Sequence, residues 1–98
     1  MTSRVLFRPE AENDVAEAFA WYESRSRGLG ADFLRALDIA ISAIRRRPLL
    51  HREIAPGKRR VLLRRFPYSV VYYIHRDELV VVACFHGRRN PRHLQERL

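Results

Sequence analysis

The sequence is poor in cysteine, having only Cys84 among its 98 residues. No intrachain disulfide can form, and a reducing compartment, the cytoplasm, is the expected location. No apolar run reaches the roughly 18–20 residues of a membrane span; the longest runs from Leu79 to Phe85. Val5-Leu6-Phe7 is too short for a signal-peptide core, and Pro9, Glu10 and Glu12 follow at once. Cys84, His86 and His93 lack the ligand count and spacing of a zinc site, so neither metal nor cofactor is expected. These shortages exclude a membrane protein and a secreted disulfide scaffold. The length excludes a large enzyme and predicts one domain spanning residues 1–98.

What is abundant is arginine. Eighteen arginines stand beside one lysine, Lys58, and the formal net charge is +8. The charge is unevenly spread: residues 1–44 hold five arginines against seven acids, and residues 45–98 hold 14 cations against four acids. The second half therefore makes a one-sided positive field, suited to nucleic acid, an acidic protein segment or another anionic surface. Arginine in place of lysine suits bidentate phosphate or carboxylate recognition, and it equally suits an arginine-rich coding bias. With 47% hydrophobic and 10% aromatic residues, the chain can still bury a modest core.

The periodicity predicts an α+β fold. Arg4 to Arg8 reads as a short strand ended by Pro9, which suits the first position of a helix. Ala11, Val15, Ala18, Phe19 and Tyr22 then share one helical face. Ser24 to Gly30 breaks the chain, and Phe33 or Leu34, Leu37, Ile41 and Ile44 mark a second helix stopped by Pro48. The two stripes predict an antiparallel helical hairpin. Beyond Pro48 the period becomes that of strands: Arg59–Arg65, Tyr68–His75 and Leu79–His86 predict an antiparallel meander with the helices packed against it. In the middle strand Tyr68, Val70, Tyr72 and Ile74 share one face, and Ser69, Val71, Tyr73 and His75 the other. Gly87 to Pro91 is a basic turn, followed by a short helix over 92–98.

Several residues have plain structural readings. Cys84 is expected to be a small core residue, His51 and His75 to lie on the surface, and Arg45-Arg46-Arg47 to favour a helix C-terminus. Arg59, Arg60, Arg64 and Arg65 alternate across their strand, so at most one side of it belongs to a single binding surface.

Asp14-Val15-Ala16-Glu17-Ala18, then Trp21-Tyr22-Glu23, Gly28-Leu29-Gly30 and Phe33-Leu34, resemble the helical half of RelE/ParE-superfamily toxins. The second half agrees: Arg59-Arg60 before Leu62-Leu63, then Phe66-Pro67-Tyr68-Ser69-Val70-Val71-Tyr72-Tyr73, and a strand running into His86-Gly87-Arg88-Arg89-Asn90-Pro91. The resemblance covers essentially the whole chain. It implies the toxin of a bacterial type II toxin–antitoxin pair of plasmid-stabilisation type, neutralised by an acidic antitoxin that carries the DNA-binding region. Trp21, Tyr22, Phe33 and Leu37 are the expected antitoxin contacts.

The superfamily divides by activity. RelE-like members cut mRNA on the ribosome, whereas ParE-like members poison DNA gyrase without a reaction of their own. Cleavage through the 2′-OH needs a group to activate that oxygen, cations at the scissile phosphate and a proton donor for the leaving oxygen. His86, Arg89, Arg60 and Tyr73 are the catalytic candidates for a RelE-like nuclease, with His93 a second proton donor. Lys58, Arg59, Arg64, Arg88, Arg89 and Arg92 are the candidates for contact with the target or with nucleic acid. Two departures disfavour the nuclease. RelE-like nucleases carry a phosphate-binding arginine after the aromatic that opens the middle strand, where Ser69 follows Tyr68 here. Several also carry a C-terminal tyrosine, and residues 87–98 contain none. The ParE-like reading is preferred, with the nuclease as the alternative and a generic basic nucleic-acid-binding domain as a third reading.

Overall fold

The computed structural model describes residues 4–87 and 91–98, with side chains described outside 91–93. Strand β1 (Arg4–Phe7) stops just short of Pro9, and helix α1 (Pro9–Arg25) begins on that proline with Glu10 and Glu12 in its first turn. Both features favour a helix N-terminus, since proline needs no N–H partner there and carboxylates offset the dipole. Helix α2 (Leu29–Arg46) follows after a break of three residues, shorter than the sequence predicts. Then come β2 (Arg52–Ala55), β3 (Lys58–Leu62), β4 (Tyr68–His75), β5 (Glu78–His86) and the short helix α3 (Pro91–Arg97).

The strands form one five-stranded sheet in the order β1-β5-β4-β3-β2. Strands β3 to β5 make the expected antiparallel meander, and β2 pairs antiparallel with β3. The α+β class and the helical hairpin are borne out, with two additions. Strand β1 joins β5 in parallel, from Arg4 opposite Glu78 to Phe7 opposite Val81, which makes the sheet mixed. A parallel pairing needs a long crossover, and the intervening helices supply it. Strand β2 is an extra strand at the opposite edge. Its signal was Pro56-Gly57: Gly57 has φ 74, the conformation a proline–glycine turn requires at its second residue. Strand β3 also ends three residues earlier than expected, because Arg65 sits at φ 70 and the chain turns back, Leu63 donating to the Tyr68 carbonyl at 2.8 Å.

The sheet has two dissimilar faces. Toward the helices, Val70, Tyr72, Leu79, Val81 and Cys84 join Ala11, Ala18, Phe33, Leu37 and Ile44 in the main core. The outer face carries a smaller cluster, Val71, Val80, Val82 and Ala83, against which Ile54, Tyr73, Phe85, Leu94 and Leu98 pack. A bulge in the β4–β5 pairing pairs Val71 with Ala83 but Tyr72 with Val81. The extra residue on β5 leaves Val82 and Ala83 both on the outer cluster and returns Cys84 to the helix side.

A carboxylate and a glycine lock the helical hairpin. Glu23 of α1 accepts the N–H of Gly28 at 3.0 Å and that of Gly30 at 2.9 Å, capping the start of α2 from the neighbouring helix. Gly28 itself is left-handed at φ 90, and no side chain at that position caps the helix. A Cβ on Gly30 would stand 2.8 Å from the Phe19 ring, so the close approach of the helices requires glycine. Behind the hairpin Tyr22, Phe33, Phe66 and Tyr68 form an aromatic cluster, with centroid separations of 4.9 Å for Tyr22–Phe66 and 5.2 Å for Phe33–Tyr68.

Candidate functional site

The alternation of β3 and β4 sorts the candidate residues by face. Arg60 pairs with Val71, and Tyr73 with Val80, so both lie on the outer face. Lys58 joins them, its Nζ 6.0 Å from the centre of the Tyr73 ring. Arg59 is on the helix side, where its guanidinium donates to the His51 carbonyl at 2.7 Å. Arg64 is exposed in the turn after β3. Of the target-contact candidates, then, Lys58 shares a surface with the catalytic candidates Arg60 and Tyr73, and Arg59 is turned away from it. Arg88 and Arg89 lie outside the described residues, as do the side chains of Arg92 and His93.

His86 is on the other side. It pairs with Tyr68 at the end of β5, and the two rings stand 5.3 Å apart in an edge-on contact. The catalytic candidates are thus divided: Arg60 and Tyr73 face outward, and His86 faces the helices. Ser69, at the position where the resemblance puts a phosphate-binding arginine in nucleases, is buried at 1% exposure.

Two clefts flank β5. One of about 430 Å³ is lined by Asn13, Asp14, Glu17, Tyr68, Cys84, His86 and Arg97 among others. The other, of about 420 Å³, lies on the outer face between Arg8, Glu10, Lys58, Tyr73, Glu96 and Arg97. Arg97 lines both clefts and is held in an ion pair. Asp14 accepts from both guanidinium nitrogens of Arg97, one of them at 3.0 Å, and also accepts the Cys84 N–H at 3.0 Å. The hydrogen bonds that Arg97 donates to the Asp14 carboxylate raise the guanidinium pKa above its ordinary value. Burial pushes the Cys84 thiol up to about 12, and the Asp14 carboxylate adds to the effect, so Cys84 is an inert core thiol. Among the described residues no group of three or more His, Cys, Asp and Glu could hold a metal ion.

The four expected antitoxin contacts also separate. Tyr22, Phe33 and Leu37 are core residues at 9%, 0% and 6% exposure, because they fill the space between hairpin and sheet. Trp21 alone presents surface, 46% exposed with the Arg25 guanidinium 4.5 Å above its ring. His75 is exposed as expected, but His51 is half-buried against Tyr72. The sequence reading did not single out Asp14, Arg97, Glu23 or Arg52 as paired or surface-defining residues. Only Arg52 had a nearby signal, the Pro56-Gly57 turn that makes its segment a strand.

The chain thus has a five-stranded mixed sheet with a helical hairpin on one face. Residues 5–91 match the family described as the ParE toxin of the type II toxin–antitoxin system parDE, and the chain belongs to that family. No curated protein matches it. The structure is similar to that of the chromosomal ParDE toxin–antitoxin system of P. aeruginosa, with TM-score 0.64, 14% identity, and 87% of this chain and 96% of that one covered. It is equally similar to the isolated E. coli RelE toxin, with TM-score 0.64, 15% identity, and 95% and 93% covered. An E. coli RelE mutant in complex with a RelBc antitoxin peptide gives TM-score 0.63, 16% identity, and 100% and 96% covered. At such identities the likeness concerns the fold, which ParE and RelE toxins share. No helix among the described residues is long and apolar enough to cross a membrane.

Proposed function

We propose that this toxin is a ParE-like inhibitor of DNA gyrase, acting in the cytoplasm and held inactive by a cognate antitoxin. The observation that carries the reading is the division of the nuclease candidates between opposite faces of the sheet. His86 stands beside Tyr68 on the helix side, while Arg60 and Tyr73 face outward from β3 and β4. A general base and the cations it works with must reach one phosphodiester together. The buried Ser69 supports the same reading, since it supplies no charge where a nuclease of this superfamily has one. The ParE family match adds to it.

The antitoxin is proposed as an acidic protein with its own DNA-binding region, complementary to the +8 charge of this chain. The RelBc peptide held by a RelE neighbour supports a peptide-like mode of neutralisation. Trp21 is the proposed aromatic anchor, being exposed where its three companions are buried.

Two assays on purified toxin test the target. Gyrase supercoiling is expected to stop in its presence, and primer extension in a cell-free translation system is expected to find the message intact. Codon-phased cuts that need ribosomes and vanish in an Arg60→Ala, Tyr73→Phe variant would establish the RelE-like nuclease instead. Neither effect, with tight salt-sensitive binding to naked nucleic acid, would favour the generic binding domain.

A further inference from the structure

Residues 39–52 contain four arginines and no carboxylate. Helix α2 ends within this stretch, and Arg45 and Arg46 in its last turn offset the helix dipole. That accounts for cations at a helix end, but not for the residues that follow them. Leu49 and Leu50 are 69% and 61% exposed. A single exposed leucine is ordinary on a protein surface. Here two in succession are held out by the backbone. The Leu50 N–H bonds the Arg47 carbonyl at 3.1 Å, closing a tight turn. The carbonyls on either side of the pair are tied to the sheet. Pro48 accepts the Tyr72 hydroxyl at 2.5 Å, and His51 accepts the Arg59 guanidinium at 2.7 Å. With both flanks fastened inward, the two leucines stand in solvent although each would gain by burial.

The surface around them is basic and open. A shallow cleft of about 470 Å³ is lined by five consecutive residues, Arg46, Arg47, Pro48, Leu49 and Leu50. Arg46 and Arg47 are exposed. Neither takes part in the ion pairs found among the described residues, Arg4–Glu78, Arg35–Asp32 and Arg97–Asp14. The next acid along the chain, Glu53, is engaged locally, accepting the Gly57 N–H at 2.6 Å. A groove that receives a partner helix is walled by apolar side chains on both sides, and this cleft has a single wall. Single-stranded nucleic acid is held by cations together with aromatic side chains that stack on its bases. Residues 45–52 contain no Phe, Tyr or Trp.

We propose that the turn at Leu49–Leu50 docks on the surface of an anionic lipid bilayer, with the leucines among the acyl chains and Arg46 and Arg47 on the lipid phosphates. Apolar insertion and attraction to anionic headgroups add in such contacts. Long basic side chains beside an inserted residue keep their charges at headgroup level. The cytoplasmic leaflet of a membrane is anionic and draws basic segments of this kind. Two leucines make a shallow anchor, so the attachment is reversible. The turn is distinct from Trp21 on α1, and the inference holds whichever target the toxin attacks.

The probe is a vesicle of equal parts phosphatidylglycerol and phosphatidylcholine, sedimented with the full-length toxin. A chain of net charge +8 adsorbs to such a surface without inserting, so the deciding variant leaves the charge unchanged. Leu49→Ser with Leu50→Ser, both at exposed positions, is expected to weaken binding about tenfold. Arg46→Gln with Arg47→Gln is expected to weaken it about as much, and vesicles of phosphatidylcholine alone should not retain the toxin. A second measurement reads insertion directly. Leu50→Trp in a Trp21→Phe background puts the sole tryptophan in the turn. Its emission is expected to move to the blue on the anionic vesicles and to stay in place with a single-stranded oligonucleotide. The proposal is overturned if the leucine variant binds the vesicles as well as the parent does, or if the vesicles leave the emission unmoved. It is also overturned if the oligonucleotide moves the emission. A shift that appears without vesicles as the toxin is concentrated overturns it too, since the leucines would then close an interface between two copies.

Discussion

Asp14 on α1 and Arg97 on α3 meet across the bare edge of β5 and complete what a longer β1 would have done. Strand β1 ends at Phe7, opposite Val81, and the Arg8 N–H bonds the Val81 carbonyl at 2.9 Å. Beyond that point Asp14 takes the Cys84 N–H, and Arg97 approaches the Val82 carbonyl at 3.4 Å. The pair thus closes the sheet edge and ties the terminal helix down, with Leu94 and Leu98 packed on the outer cluster.

Removing either partner leaves the other half-buried and unpaired. Asp14→Ala is expected to lower stability by about 1.5–3 kcal/mol, the range for a hydrogen-bonded charged group. Urea denaturation measures the loss. Amide exchange in residues 94–98 should quicken in the same variant, because α3 loses its anchor to α1.

The hairpin makes a second prediction. Glu23→Ala removes the cap from the N-terminus of α2 and is expected to cost about 0.5–2 kcal/mol in the same assay. Gly30→Ala is expected to cost about 1–3 kcal/mol by overpacking against Phe19. A Gly30→Ala variant as stable as the parent would mean that the helices are not held as closely as the structure has them.

Alkaline pH should destabilise the fold. Burial pushes the Tyr72 hydroxyl up to about 12, with Arg59 partly opposing, and the Cys84 thiol likewise reaches about 12. Both groups keep their protons in the folded state at pH values where the unfolded chain releases them. Their contribution is therefore complete below about pH 9 and is lost as the pH rises from there toward 12. Melting temperature against pH should fall across that window. Tyr72→Phe should flatten the upper part of the fall and remove a late-titrating tyrosine from the absorbance spectrum.

Trp21 and Tyr22 are neighbours with opposite roles. Tyr22→Ala is expected to cost about 3–5 kcal/mol, as emptying an aromatic site in a core does. Trp21→Ala, on the exposed side of α1, is expected to stay within about 0.5 kcal/mol of the parent. If Trp21 anchors the antitoxin, its variant should fold normally and fail to co-purify with it.

Much of this architecture was legible from the order of residues. Pro9 and the acids after it place α1, the aliphatic stripes give both helices, and β-branched runs give β3, β4 and β5. The family resemblance lay in short motifs whose purpose the structure explains. Trp21-Tyr22-Glu23 with Gly28-Leu29-Gly30 is a staple, a carboxylate on one helix bonding the amides that begin the next. Strand β2 was missed because Arg52-Glu53-Ile54-Ala55 shows little apolar alternation and pairs on one side only.

By itself the sequence determined what depends on neighbours within a few residues: helix starts and stops, strand runs, the α+β class and the concentration of positive charge after Ile44. Only the tertiary structure decided what depends on partners far apart in the chain. It paired Asp14 with Arg97, set Arg52 opposite Arg60, turned His86 away from Arg60 and Tyr73, and buried Tyr22, Phe33 and Leu37 while leaving Trp21 exposed. The physical reason is that strand register and the β5 bulge assign each side chain to a face of the sheet. Periodicity along one strand reports only that its faces alternate.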